Sequence, residues 1–118
     1  MFQAPYAVNG YLCKSLDVSC FASNATDKSQ FWMADMNTPK NIRLILYQGC
    51  GSSSVNGKQI RAGLNPDIFS DPVVATVTYV ADYHLHSFEF DPPKLARYIG
   101  FTGPDYSALE VCKMMAFE

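Results

Sequence analysis

The sequence predicts an all-β domain, a sandwich or jelly roll. Three observations lead there. Short runs of β-branched, aromatic and aliphatic residues recur along the chain, apolar residues at helical spacing are scarce, and aromatic residues make up 14% of the 118 residues, a bias toward sheet. Turn residues punctuate those runs at intervals suited to short antiparallel strands.

The first 29 residues hold two cysteines, Asn9-Gly10 and a Ser/Asn/Thr cluster. They read as long loops with at most one short strand. Ile42 to Tyr47 is a strand, and Lys58 to Ala62 is another. Val73 to Val80 is the longest run. His86-Ser87-Phe88-Glu89-Phe90 alternates, which sets Phe88 and Phe90 on one face. Arg97 to Phe101 and Glu110 to Phe117 complete the set. Turns are expected at Gly49 to Ser54, Asn56-Gly57, Asn65-Pro66-Asp67, Asp91-Pro92-Pro93 and Gly103-Pro104-Asp105, where glycine, proline, asparagine and aspartate favour tight backbone conformations. No internal repeat, linker or low-complexity tract interrupts the pattern, so residues 1–118 read as one domain, whole or cut from a larger extracellular protein.

The composition narrows the function. With 48% hydrophobic residues the chain can build a core, and its net charge of −2 argues against nucleic acid or an anionic membrane as an electrostatic partner. No run of about 20 apolar residues exists to span a membrane. The start, Met1 to Pro5, lacks the basic and apolar regions of a signal peptide, so a secreted form would carry its leader elsewhere. Cys13, Cys20, Cys50 and Cys112 are even in number and show no CxxC spacing for zinc. Together with the sequon Asn24-Ala25-Thr26 they point to an extracytoplasmic, disulfide-bonded, glycosylated domain; four buried thiols in a cytosolic protein are the alternative. No Ser-His-Asp elbow, phosphate loop or GxGxxG occurs, and nothing in the sequence brings Asp82, Glu89, Asp91 and Asp105 together as a hydrolytic pair. The chain is not expected to be an enzyme. Trp32 and Phe31 are expected in the core. His84 and His86 share a face if strand-borne, but no third metal ligand is evident.

The order of segments resembles a known family. Ala7-Val8-Asn9-Gly10, Ser19-Cys20, Phe31 to Met36, Val55-Asn56-Gly57-Lys58-Gln59-Ile60-Arg61-Ala62-Gly63, Ala96-Arg97-Tyr98-Ile99 and Val111-Cys112-Lys113 follow the pattern of the F-type lectins (fucolectins). Those belong to the discoidin-like, coagulation factor C-domain superfamily. The resemblance covers about residues 7–117 and implies a discoidin-like (galactose-binding-like) jelly-roll β-sandwich. Family members hold fucose with one histidine from an early loop and two arginines beside adjacent cysteines. Here the arginine positions carry Tyr47 and Ser54, the cysteine pair has become Cys50-Gly51, and no histidine occurs from Leu12 to Ala22. The family calcium cage is also altered, with Asn9 and Ser19 retained near it but Lys113 where a glutamate is expected. No cofactor is therefore predicted. Lys113 either substitutes for the ion or points to solvent.

The resemblance further implies a Cys20–Cys112 bridge, since both match cysteines that pair in the family. Cys13–Cys50 is then the second, in loops the resemblance places at one end of the sandwich. The family's other internal bridge falls near Val73 or Val74 and Phe90, where the resemblance implies an apolar contact in its place. The family's first strand is absent or reduced to residues 1–6, leaving a sheet edge open to pairing with a second copy. The binding face is expected in the loop from Tyr47 through Gln48 and Ser52 to Ser54, joined by Lys14, Leu16, Asp17 and Phe21. The functional expectation is an extracellular recognition or adhesion module that has lost fucose binding and engages a cell-surface protein. A lectin of altered glycan specificity is the alternative.

Overall fold

The computed structural model describes residues 2–3, 21–22, 30–49, 53–80, 84–104 and 107–118. Among them the strands are β1 (Phe2–Gln3), β2 (Phe21–Ala22), β3 (Phe31–Gln48), β4 (Gln59–Gly63), β5 (Val73–Thr76), β6 (His86–Thr102), β7 (Glu110–Val111) and β8 (Lys113–Phe117). Single 3-10 turns at Ser53–Val55 and Ile68–Ser70 are the only helical segments among the described residues. The main sheet runs in the order β1-β8-β3-β6-β4-β5, and β2 pairs with β7 separately.

Two long strands organise the domain. β3 and β6 pair antiparallel from Phe31↔Thr102 to Tyr47↔His86. The ladder slips twice. Residues 36–39 are extra on β3, between Asp35↔Tyr98 and Lys40↔Ala96, and residues 90–93 are extra on β6, between Ile42↔Lys94 and Leu44↔Glu89. Prolines fall in both insertions, where no ladder N–H is needed. Asn37 takes a left-handed φ of 74°, and its N–H donates to Asp35 Oδ1 at 2.8 Å. Asparagine tolerates that region because its short polar side chain avoids the worst clash. The Asp91–Pro92 bond is cis.

Bulges bend strands, and here they fold the ribbon onto itself. A straight strand from Trp32 to Tyr47 would run roughly 50 Å. Instead Phe101, the ladder partner of Trp32, stacks on Tyr47 with ring centroids 4.6 Å apart. The sheet thus forms two layers. One holds β1, β8, the second half of β3 and the first half of β6. The other holds the remaining halves with β4 and β5. Trp32, Ala34, Met36, Ile60, Ala62, Ile99 and Phe101 meet Ile45, Tyr47, Phe90, Met114 and Ala116 in a single core. This is the all-β sandwich the sequence predicts.

Three expectations are corrected. Phe31 is 49% exposed, because a strand sends adjacent side chains to opposite faces and Trp32 takes the core side. Phe31 instead meets Phe69 edge-on at 5.8 Å on the outer face. The run from Val73 to Val80 is ladder only as far as Thr76. Asp91-Pro92-Pro93 does not end a strand; it lies inside β6 as part of the second insertion. Val74 packs against the core cluster that includes Phe90. The opening strand survives as β1, with Phe2 opposite Ala116 on β8. At the bend end, Lys40 lies 3.8 Å from the Glu118 carboxylate.

Candidate ligand-binding mouth

The end of the sandwich opposite the bends gathers the loops. β3 leaves it at Gln48, β6 and β8 enter it, and β4 starts beside the end of β6. Tyr47 forms its floor. The ring is completely buried, stacked on Phe101 and tilted against His86 at 5.7 Å. Its hydroxyl donates to the Glu110 carbonyl at 2.5 Å. Burial and then the Glu110 carboxylate push the phenol well above its usual range. The sequence reading put Tyr47 among the ligand-gripping groups; the structure commits both its ring and its hydroxyl to the protein.

Chain leaving Tyr47 stays close to that floor. The Gln48 carbonyl accepts from Cys112 N at 2.8 Å. Gly49 follows, and a β-carbon there would stand 2.8 Å from both the Tyr47 hydroxyl and Val55 Cγ1, and 3.4 Å from Glu110 Oε1. Glycine lets the backbone pass. Ser54 is half-buried in the turn above. Beyond it Gly57 takes a φ of +80°, where a side chain would be strained. This turn is stapled to the segment after β5: Gly57 N donates to Val77 O and Val77 N to Lys58 O, each at 2.8 Å, and Tyr79 N donates to Asn56 Oδ1 at 2.9 Å.

Lys58 is the residue the sequence reading overlooked. The sequence places it at the start of a strand and within the Val55–Gly63 motif, with no role of its own, yet it is 5% exposed. Its stem crosses the face of Gly103. A β-carbon on Gly103 would stand 2.5 Å from Lys58 Cδ, 2.9 Å from its Cε and 2.9 Å from Ser107 Oγ. The Ser107 hydroxyl donates to Pro104 O at 2.5 Å. Desolvation lowers the Lys58 ammonium below the ordinary lysine range, with the Glu110 charge acting the other way. Gly49 and Gly103 thus let Lys58, Ser107, Glu110 and Tyr47 pack closely at this end of the sandwich. Burial of Lys58 rests on a glycine 45 positions away, which no local pattern announces.

His86 is buried beside it, and His84 meets its ring edge-on at 4.7 Å. Desolvation first, then His84, lowers His86. No group of three His, Cys, Asp or Glu side chains able to hold a metal occurs among the described residues. Lys113 is exposed at the start of β8, opposite Gln48. A cation at that position does not fit a calcium cage, which needs oxygens. Cys112 is disulfide-bonded. Asn9, Cys13, Lys14, Leu16, Asp17, Ser19, Cys20, Asn24, Cys50 and Ser52 lie outside the described residues, and Phe21 is described by its backbone alone, paired with Val111. Glu89 and Asp91 are exposed, while Asp82 and Asp105 lie outside the described residues.

Solved structures share this architecture. A fucolectin from striped bass (Morone saxatilis) serum superposes over 97% of this chain with a TM-score of 0.77 at 18% identity. The fold is discoidin-like, that of the F-type lectins. This chain spans 44% of that fucolectin's length. A family 32 carbohydrate-binding module from C. perfringens NanJ, in complex with galactose, matches 89% of this chain and 80% of its own, with a TM-score of 0.65 at 17% identity. The lectin domain of lectinolysin, complexed with Lewis B antigen, matches 99% and 90%, with a TM-score of 0.64 at 16% identity. No protein-family model matches the sequence, and comparison with curated protein sequences gives no match either. Among the described residues no helix is long and apolar enough to cross a membrane.

Proposed function

We propose that this domain is a non-catalytic glycan-recognition module whose ligand seats in the mouth over Tyr47, with a specificity other than fucose. One observation carries the reading. The described groups gathered at this end are polar: a lysine with little exposure, a serine and a carboxylate beside two glycines. Sugar sites need such convergent polar groups. A protein-docking surface would instead present a broad apolar patch. Most exposed apolar side chains lie elsewhere, Phe31, Leu64, Phe69 and Val73 around the second layer and Leu95 by the bend, while Val80 and Leu85 flank the loops at the mouth. The galactose and Lewis B complexes of proteins with this fold support the same choice. The sequence alone favours a cell-surface protein partner; the polar groups at this end support the glycan alternative instead.

An extracellular setting fits the reading, since a disulfide at Cys112 persists in an oxidising compartment. Cys20 is its proposed partner. The family resemblance implies this pairing, and Phe21, the residue after Cys20, pairs with Val111, the residue before Cys112. Cys13–Cys50 is the remaining bridge. Non-reduced peptide mapping that returned Cys13–Cys20 would overturn the scheme. β1 and β5 end the order of the main sheet among the described residues, so a second copy would add there.

The test is a broad glycan array with and without calcium, using the oxidised domain. Specific binding, weakened at least about fivefold by Glu110→Gln or Ser107→Ala with melting unchanged, is expected, a loss of the size a single ligand hydrogen bond gives. A blank array from a well-folded sample would reject the glycan reading and return the weight to a protein partner.

A further inference from the structure

Two histidines meet where β6 begins. His84 is exposed, His86 is buried at the first position of the strand, and their rings meet edge-on with centroids 4.7 Å apart. Two positions apart on extended chain, they project to one side. The other ring contacts of His86 are with Tyr47 at 5.7 Å and Phe88 at 6.3 Å. Neither imidazole has a hydrogen bond or an ion pair among the described residues. Asp71 Oδ2 is the only buried side-chain nitrogen or oxygen without a partner among those residues. The unbonded nitrogens of His86 therefore reach solvent at the edge of its buried ring. Two adjacent imidazoles thus offer lone pairs that the fold does not use.

We infer that His84 and His86 form a two-histidine binding site for a divalent transition-metal ion. The inference stands apart from the glycan reading. A neutral imidazole carries one lone-pair nitrogen, which binds such an ion at about 2.0–2.1 Å. His86 is held in place, opposite Tyr47 in the β3–β6 ladder and stacked on Phe88. His84, being exposed, has room to turn from the edge-on contact until both lone pairs converge on one ion. The donor type sets the class of ion. Calcium and magnesium take oxygen ligands, whereas copper(II), nickel and zinc accept imidazole. Two protein ligands leave the remaining coordination positions to water. Such a site is open and exchangeable, unlike the closed four-ligand sites that hold a fold together.

The experiment titrates the oxidised domain, free of any histidine tag, with zinc, nickel or copper(II) chloride. Calcium and magnesium chlorides are the controls. Calorimetry gives the affinity, and NMR of the imidazole ring protons gives the place. One ion per domain is expected, with copper(II) the tightest, and zinc should shift the ring signals of both histidines together. Binding should weaken as pH falls from 7.5 to 5.5, as protons compete for the same nitrogens. His84→Gln, at an exposed position, should weaken binding at least about tenfold, the loss of one of two ligands. His86→Gln should do the same; if it melts far lower because the ring is buried, His84→Gln and the ring signals decide. No binding of any of the three ions by about 1 mM would overturn the inference. So would binding that His84→Gln leaves unchanged, since the ion would then sit elsewhere.

Discussion

Replacing Tyr47 by phenylalanine separates a floor residue from a ligand-gripping one. The ring, stacked on Phe101 at 4.6 Å, survives the change, so no cavity larger than a hydroxyl opens. What disappears is the donor to the Glu110 carbonyl. A lost buried hydrogen bond that leaves its acceptor unsatisfied costs about 1–3 kcal/mol. For a domain of this size, about 4 °C of melting temperature goes with each kcal/mol. Tyr47→Phe should therefore melt about 4–12 °C lower, about 6 °C for a loss of about 1.5 kcal/mol. Tyr47→Ala should be far worse, about 3–5 kcal/mol, because a large ring leaves the core. Calorimetry or circular dichroism melts give the stability, and the same samples are titrated with whichever glycan the array selects. Glycan affinity of Tyr47→Phe should stay within about threefold, within the scatter expected when no direct contact is lost. If that variant kept its melting temperature and lost binding, the hydroxyl would be facing the ligand and the account of the floor would be wrong.

Three other outcomes follow from the same geometry. Gly100→Ala would place a β-carbon 2.0 Å from Ile68 Cγ1, so overpacking should cost about 1–3 kcal/mol; combining it with Ile68→Val should recover part of that loss in denaturant melts, and strict additivity would count against the contact. His86 has a lowered pKa, so protons favour the unfolded chain: stability should fall as pH drops through the unfolded value near 6.5 and level off below the folded one, and His86→Phe should flatten that slope. The lowered pKa of Lys58 means that its charge opposes folding at neutral pH, a cost that fades as pH rises through its folded pKa. Without ligand, Lys58→Met should melt at or above the native temperature, and a clear drop would contradict the desolvated ammonium.

Much of the frame is legible in the residues. Alternation in His86 to Phe90 marks β6, and the aliphatic run Ile42 to Tyr47 marks the second half of β3. The same period of two already separates Phe31 from Trp32, so placing both in the core missed a signal that was there. The bends were harder to see. Pro92 and Pro93 announce a break, but a break that stays within a paired strand depends on the partner strand, not on the prolines. The mouth was the least legible. Tyr47 is fixed by a carbonyl 63 positions away, and Lys58 packs on a glycine just past the end of the neighbouring strand β6. Such pairings are properties of the closed ribbon and have no local signature.

The pairing of β1 with β8 places both described ends of the chain along one edge, with Phe2 opposite Ala116. Glu118 lies beside Lys40 at the bent end, while Gln48, Lys58 and Gly103 lie at the other, along a body whose longest dimension is 35 Å. Any anchor attached through either terminus would thus hold the domain by its heel. The glycan site would face outward, clear of the support, and several such domains strung together could each engage a separate branch of one saccharide surface.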